Sequence, residues 1–414
     1  MIGILLYIDP GTGSMLFSLV IAVATTLVFA MRKVLIKLSF ILSAGKQNIN
    51  YDKKTPYVIY SDHKRYWNIF KPICDEFENR KIPLVYYTQS SDDPAISENY
   101  EYVTTEFIGE GNKGIAKMNF LSAKTVLSTT PGIDVLQWKR SKGVDRYVHI
   151  PHGINMMSGY RTFGIDHYDS IICNCQRQVD EVRELERVRN LPPKDTVILG
   201  CPYMDEAMIK VKELPEYQGY DVDDIKVIVA PTWGPSGLLA KCGESLIEQL
   251  LADGFYVIVR PHPQSYSHEP DLINSLKDKF KNSDRLEWNS DNDNLAVLNR
   301  ADIMISDFSG VVFDFAFLMN RPVIMVDTKI DTIIYDFDWI DQKFWKYSEF
   351  DDLGSWFEEE KIKEIKEVII ELLSSEDRVA ARNEAKKSLW ENQGISKALI
   401  VDYLVSITEE KECV

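Results

Sequence analysis

Residues 303–314 read Ile303-Met304-Ile305-Ser306-Asp307-Phe308-Ser309-Gly310-Val311-Val312-Phe313-Asp314. Three apolar residues, Ile303 to Ile305, fit a short buried strand. The polar turn Ser306 to Gly310 follows. An apolar helix comes next, and Arg321-Pro322 stops it before a second apolar strand at 323–326. Strand, glycine-bearing turn, helix and strand in that order make a parallel βαβ unit. Free N–H groups at a helix N-terminus attract anions, and small residues in the turn let phosphates approach them. The stretch is therefore read as an anion site suited to a diphosphate. Ser309 as a plain N-cap is the other reading.

Working outward, the same alternation runs along most of the chain. Strands are expected at 57–60, 84–87, 125–128, 147–150, 170–173 and 197–199, with helices at 66–79 and 177–189. A polar stretch at 213–224, with Pro215 and Gly219, reads as a linker. Beyond it, strands at 226–230, 256–259, 303–305 and 323–326 alternate with helices at 243–252, 271–281 and 294–300. Segments 359–373 and 378–407 read as helices able to brace the first half. The expected organisation is an anchor with a basic segment (1–50), a Rossmann-like domain (51–212), the linker, a second Rossmann-like domain (225–375) and bracing helices (376–414). His152, Trp233, His262 and the turn 306–310 each follow a predicted strand. Ligands of parallel sheets sit at the carboxyl ends of strands. The four segments can thus converge on one cleft although far apart in sequence.

The chain has 414 residues and a net charge of −16, which argues against nucleic acid as a partner. Nine Lys/Arg fall between residues 31 and 71, against only Asp52 and Asp62. Residues 10–31 carry no charge and are mostly apolar. Helical, they would reach roughly 33 Å, enough to cross a bilayer. Arg32, Lys33 and Lys37 follow, which predicts a single-pass anchor with the rest of the chain cytoplasmic. The basic strip suits an anionic leaflet. A cleaved signal peptide is the rival, but no basic residue precedes the apolar run. The six cysteines show no zinc spacing and read as reduced thiols. No Asp-x-Asp or His/Asp cluster marks a fixed metal site, Asp291-Asn292-Asp293 reading as a helix start, and the sequence names no certain cofactor.

His152 stands between Pro151 and Gly153 at a strand end. An imidazole with an ordinary pKa near 6.5 can act as a general base at neutral pH. Arg260 and His262 flank Pro261, and Pro263 follows, so the histidine direction is fixed. A cationic Arg–His pair suits a diphosphate leaving group. Asp307 can accept from a ligand hydroxyl or cap the helix. Asp314 can reach a nucleotide or bond the next strand. His149 and His167 read as structural, and His268 as a loop residue.

The turn Ser306-Asp307-Phe308-Ser309-Gly310 is similar to the Ser-Asp-Tyr/Trp-Ser-Ser/Gly motif of the CDP-glycerol glycerophosphotransferases. Val259-Arg260-Pro261-His262-Pro263 resembles their Arg-Pro-His-Pro element, Pro151-His152-Gly153 their His-Gly element, and Ala230-Pro231-Thr232-Trp233 their Ala-Pro-Ser/Thr-Trp strand end. The resemblance implies a GT-B plan of two Rossmann-like domains facing a cleft. It implies transfer of glycerol phosphate from CDP-glycerol, or a related CDP-polyol, to a hydroxyl of a lipid-linked acceptor, with release of CMP. His152 and His262 would be catalytic. Arg260, Ser306, Asp307, Ser309, Gly310, Thr232, Trp233 and Asp314 would bind substrate, with Trp233 against the base. The family's teichoic-acid branch continues from His-Gly with Leu-Lys. Here only Arg161 supplies a comparable charge. A nucleotide-sugar glycosyltransferase of the same fold is the alternative, and a non-catalytic membrane-bound nucleotide-binding protein is a third reading.

Overall fold

The structure is a computed structural model that describes residues 54–291, 294–329, 331, 335–340 and 348–409. The expected anchor at 10–31 lies outside the described residues. Among the described residues, no helix is long and apolar enough to cross a membrane.

Two parallel sheets organise the described residues from Thr55 onward. The first contains β1 (Thr55–Ser61), β2 (Leu84–Thr88), β3 (Val103–Phe107), β4 (Ser122–Ser128), β5 (Gly143–His149), β6 (Ser170–Cys173) and β7 (Asp195–Ile198). Their spatial order is β3-β2-β1-β4-β5-β6-β7. The second contains β8 (Lys226–Val229), β9 (Tyr256–Val259), β10 (Leu286–Trp288), β11 (Ile303–Ser306), β12 (Val323–Asp327) and β13 (Gly354–Glu358), in the order β10-β9-β8-β11-β12-β13. Every pair is parallel. In each sheet the strand order reverses beside its first strand, between β1 and β4 and between β8 and β11. Those switch points open crevices at the strand ends.

Alternation along the strands sends side chains to both faces. Val227 and Val229 meet Leu246, Ile247 and Leu250 of helix Leu238–Ala252, while Ile228 meets Phe315 and Phe317 on the other face. In the first sheet Ile59 packs with Phe70, Ile73 and Phe77, and Val58 and Tyr60 with Met118, Trp138 and Tyr147. Five cysteines are buried and unbridged, as expected of reduced thiols.

Three strands escape the sequence reading for a physical reason. β3, β10 and β13 are edge strands, and edge strands bury less and need less apolar alternation. The expected helix 378–407 is two helices, Asp377–Leu389 and Ser396–Glu409. The first ends where Trp390 leaves the helical conformation (φ −137), and Asn392 (φ 55) and Gly394 (φ 82) then turn the chain in left-handed conformations. Helix Pro202–Val211 starts with Pro202 in its first turn, where proline is tolerated.

The break at 390–395 carries the chain from the second half back to the first. Helix Asp377–Leu389 caps the helical run 311–319. Lys386 donates to the Phe317 carbonyl at 2.8 Å and Arg382 to the Asn320 carbonyl at 3.2 Å. Cations there offset the negative end of the helix dipole. Trp390 then seats in the core at 0% exposure. Asp205 accepts from the Gly394 N–H at 2.7 Å and the Ser396 N–H at 3.1 Å, and from the Ser396 hydroxyl. The Thr125 and Thr408 hydroxyls meet at 2.8 Å, fixing helix Ser396–Glu409 under β4. Gly200 has φ +86, and a Cβ there would stand 2.6 Å from the Glu391 carbonyl, so the crossing requires glycine.

A second joint forms around Arg189. Arg189 is held between the rings of Phe163 and Trp339, at 4.8 and 4.9 Å, and pairs with Asp166 (2.5 Å) and with Asp336. Asp336 also donates its N–H to the Tyr160 carbonyl at 3.0 Å.

Replacing the fully enclosed indole tests the crossing. Trp390→Ala should lower stability by about 3–5 kcal/mol, measured by urea unfolding of the purified protein. A loss under about 1 kcal/mol would show that the crossing adds little to the fold.

Candidate functional site

The segments singled out in the sequence lie on the rims at the C-terminal ends of the strands. After β8 comes Ala230-Pro231-Thr232-Trp233, and after β11 the turn 306–310. The two rims are tied together from within. Ser306, at 0% exposure, donates its hydroxyl to the Ala230 carbonyl at 2.6 Å. Asp307 accepts the Thr232 N–H at 2.8 Å and the Leu238 N–H at 2.8 Å, capping helix Leu238–Ala252. Burial raises the Asp307 carboxyl to about 6, and the two N–H donors pull it back.

A pocket of ≈ 240 Å³ opens where the rims of both sheets meet. From the first half it is lined by His152, Asn155, Met156, Gly159 and Tyr160. From the second come Thr232, Trp233, His262, Phe308, Ser309, Gly310 and Tyr335. The two halves touch closely here: a Cβ on Gly310 would come within 2.5 Å of Asn155 Oδ1. Six of the expected residues thus share one pocket: His152, His262, Thr232, Trp233, Ser309 and Gly310.

The others stand elsewhere, for identifiable reasons. Ser306 and Asp307 face inward and join the rims, so neither is presented to a ligand. Asp314 is buried behind the turn. It accepts the Tyr203 hydroxyl at 2.8 Å, and burial pushes its carboxyl up to about 7. Arg260 lies beside the pocket, donating to Asn289 and to the Asp291 carbonyl at 2.8 Å. Arg161 pairs through its backbone with Tyr335 and faces a separate hollow with Pro131, Val135 and Leu136. It is therefore not the cation of this pocket.

His152 faces the open cleft, with its ring 5.9 Å from that of Tyr66 and 6.0 Å from that of Tyr160. Close packing on its remaining sides, and then the Arg65 guanidinium, hold the imidazole below its usual value, at about 4. The direction leaves His152 neutral and able to take a proton at pH 7. His262 accepts the Gln264 N–H on Nδ1 at 3.2 Å. That bond assigns the proton of the neutral ring to Nε2, making His262 a donor toward the pocket. Burial, and then Arg65, hold its pKa down as well. Trp233 is 37% exposed and tilts against His268 at 5.1 Å, so it is a wall of the pocket and not a core residue.

Arg65 is the cation whose charge reaches both histidines. It follows β1 by four residues, a strand-end position like those of the other rim residues. In the sequence it merges with the basic strip 31–71. Among the described residues, no group of three His, Cys, Asp or Glu side chains is placed to hold a metal.

His149 lies beneath, at 0% exposure, between the rings of Tyr160 (5.0 Å) and Tyr168 (4.9 Å). Neither of its ring nitrogens has a hydrogen-bond partner. Burial and the neighbouring His152 lower its pKa to about 3. Between pH 6.5 and about 3 the unfolded chain holds a proton there that the native chain does not, so stability must fall as pH falls. This contribution reaches up to about 1.4 kcal/mol per pH unit. His149→Phe should flatten that part of the slope in urea unfolding from pH 7 to 4. An unchanged slope would mean that His149 takes up its proton in the folded state.

Residues 165–337 match the family described as CDP-Glycerol:Poly(glycerophosphate) glycerophosphotransferase. The match spans the rims after β8, β9 and β11, and His152 lies outside it. None of the curated proteins matches the chain. Among solved structures, a histidine-to-asparagine form of the wall teichoic acid polymerase TagF with CDPG is 15% identical. That alignment covers 93% of this chain and 98% of the polymerase, with a TM-score of 0.54. The UDP-GlcNAc 2-epimerase of Methanocaldococcus jannaschii, in complex with UDP-GlcNAc and UDP, is 14% identical over 86% of this chain and 100% of its own, at TM-score 0.55. A putative UDP-N-acetylglucosamine 2-epimerase from Listeria monocytogenes is 11% identical over 86% of this chain and 97% of its own, at 0.56. At these identities the structural likeness shows the fold alone: an α/β fold with two parallel sheets. The family match falls on the rims that build the second-half wall of the pocket, and it supports a CDP-glycerol glycerophosphotransferase-like transferase.

Proposed function

We propose that the pocket moves glycerol phosphate from CDP-glycerol to a hydroxyl of a lipid-linked polyol or glycan acceptor and releases CMP. One observation carries this reading. A neutral histidine of one half, His152, faces a donor histidine, His262, and the turn Ser309–Gly310 of the other half across a single pocket. The diphosphate lies against the start of the helical run 311–319, where N–H groups and the Ser309 hydroxyl meet its charge. The acceptor oxygen attacks the phosphorus that bears glycerol, and its proton passes to His152. An acceptor O–P bond forms, and the bridging O–P bond of the diphosphate breaks. The electron pair leaves on the CMP phosphate, whose growing charge the His262 Nε2–H meets. Trp233 offers the pocket a flat aromatic wall for the base.

The two histidines should separate in assay. His152→Ala should keep CDP-glycerol affinity within about threefold while transfer falls roughly 10²–10⁴-fold. His262→Ala should weaken donor binding by about 1–3 kcal/mol for one lost charged hydrogen bond. Calorimetry with steady-state transfer assays measures both. Near wild-type turnover by His152→Ala would exclude it as the base.

The same reading places the enzyme at a membrane. Residues 10–31 serve as a single-pass anchor, with Arg32, Lys33 and Lys37 holding the following chain on the cytoplasmic side. A C-terminal reporter active only in the cytoplasm should be active when fused to the full chain. Activity of a reporter that works only outside the cytoplasm would reverse the topology.

A further inference from the structure

We propose that the hollow beside Arg161 holds the start of a hydrocarbon chain and the anion that ends it, so that the enzyme acts on short lipid-linked acceptors and not on long polymers. The inference rests on the transfer reading above and narrows the class of acceptor.

Two loops of the first half enclose this hollow of ≈ 410 Å³. Pro131, Gly132, Val135 and Leu136 line it from one loop, Arg161 and Thr162 from the other. The loops are stitched together. The Gly132 N–H donates to the Gly164 carbonyl at 2.7 Å, and the Tyr168 hydroxyl donates to the Thr130 carbonyl at 2.6 Å. A Cβ on Gly164 would stand 2.8 Å from the Tyr160 Cβ and 3.3 Å from the Pro131 Cβ, so the walls meet where a side chain has no room. The hollow is therefore preformed, as ligand sites of this size usually are.

Its lining is apolar except for Thr162 and one cation. Leu136 is 61% exposed. Phe163, between Thr162 and Gly164, is exposed too, with its ring 5.8 Å from that of exposed Trp339. Contiguous apolar surface of this kind marks a binding site. Loops 131–138 and 160–164 hold one carboxylate, Asp134, which is outside the lining and accepts the Arg140 N–H at 3.0 Å. Arg161 is exposed, and among the described residues its guanidinium has no hydrogen bond or ion pair. In a chain with 63 acidic and 47 basic side chains, such an uncommitted cation stands out. A ligand that joins a hydrocarbon to an anion complements both features. The guanidinium fork matches a phosphate, and each methylene fully buried on the walls strengthens binding roughly fourfold.

The hollow adjoins the transfer pocket. Tyr160 lines the pocket and Arg161, the next residue, lines the hollow, their Cα atoms about 3.8 Å apart. Tyr335, also in the pocket lining, pairs with Arg161 in an antiparallel bridge. This ridge of backbone separates the two sites. An acceptor with its lipid phosphate on Arg161 thus presents to His152 a hydroxyl close to that phosphate. A long polymer must loop out to occupy both sites at once. By loop-closure scaling, ten units between tail and reacting end would cost roughly thirtyfold relative to one.

Three acceptors test this with the full chain in lipid nanodiscs: one glycerol phosphate unit on an eight-carbon chain, ten units on the same chain, and one unit on a two-carbon chain. The first should have a KM at least about tenfold below the other two. Leu136→Asn should raise that KM about tenfold, leaving the two-carbon acceptor and CDP-glycerol affinity within about twofold of wild type. Arg161→Gln should raise the KM of both one-unit acceptors, and Arg161→Lys should recover part of the loss. If Leu136→Asn does not fold, Leu136→Ala carries the same comparison. Octyl phosphate, which has the tail and the anion but no acceptor hydroxyl, should bind in calorimetry at least about tenfold more weakly to Leu136→Asn and to Arg161→Gln. Octyl phosphate binding that neither substitution changes would overturn the hollow as a lipid site. So would unchanged KM values in Leu136→Asn accompanied by lost self-association in ultracentrifugation, which would assign the surface to a second copy of the chain. Equal KM values for one and ten units in the wild type would overturn the preference for short acceptors. Octyl phosphate binding as expected, with transfer to none of the three acceptors, would instead overturn the transfer reading.

Discussion

The site depends on one buried carboxylate. Asp307 accepts two backbone N–H groups, from Thr232 and from Leu238, and with the Ser306 hydroxyl ties β11 to the rim after β8. A helix start, a strand end and a phosphate-sized turn are thereby fixed by one residue. Losing it would leave two buried donors unmet, each at about 1–3 kcal/mol. The turn Ser309–Gly310 can present small groups to the pocket because its neighbours Ser306 and Asp307 are committed inward.

This explains how much of the site was legible in the sequence. Strand-end position and residue chemistry identified His152, His262, Thr232, Trp233, Ser309 and Gly310, because parallel sheets gather strand ends on one side. Direction along the chain was not legible. Ser306, Asp307 and Asp314 have the chemistry of ligand contacts, but strand alternation and the helix turn point them into the interior. Arg161 looked like the missing cation, yet the Tyr335 pairing and the Arg189–Asp336 joint turn its loop away. Arg65 was hidden among eight other basic residues, although its place after β1 marks it as a rim residue. Of the fold, the buried strands were visible and the edge strands β3, β10 and β13 were not, since an edge asks for less apolar surface.

Both pocket histidines are pushed toward the neutral form by the same two causes, burial and the Arg65 charge, yet their hydrogen bonding differs. The Gln264 N–H occupies Nδ1 of His262 and leaves that ring a donor. The His152 ring faces the open cleft, where it can accept a hydrogen bond. One protein charge thus acts on two histidines contributed by different halves, which are closed on one another at the pocket. Trp390, Asp205 and Arg189 hold that closure without touching the pocket.

The return of helix Ser396–Glu409 to the first sheet has a consequence for how the chain is made. Ile400, Val401 and Leu404 fill the face of the first sheet that carries Phe70, Ile73 and Phe77. Translation reaches them roughly two hundred residues after β7 is complete, on the order of 10–40 s later. During that interval the ribosome holds a sheet whose edge is formed and whose apolar face is open. Chaperones that shield nascent apolar surfaces would find their target there, and the second half must be synthesised before the first can close.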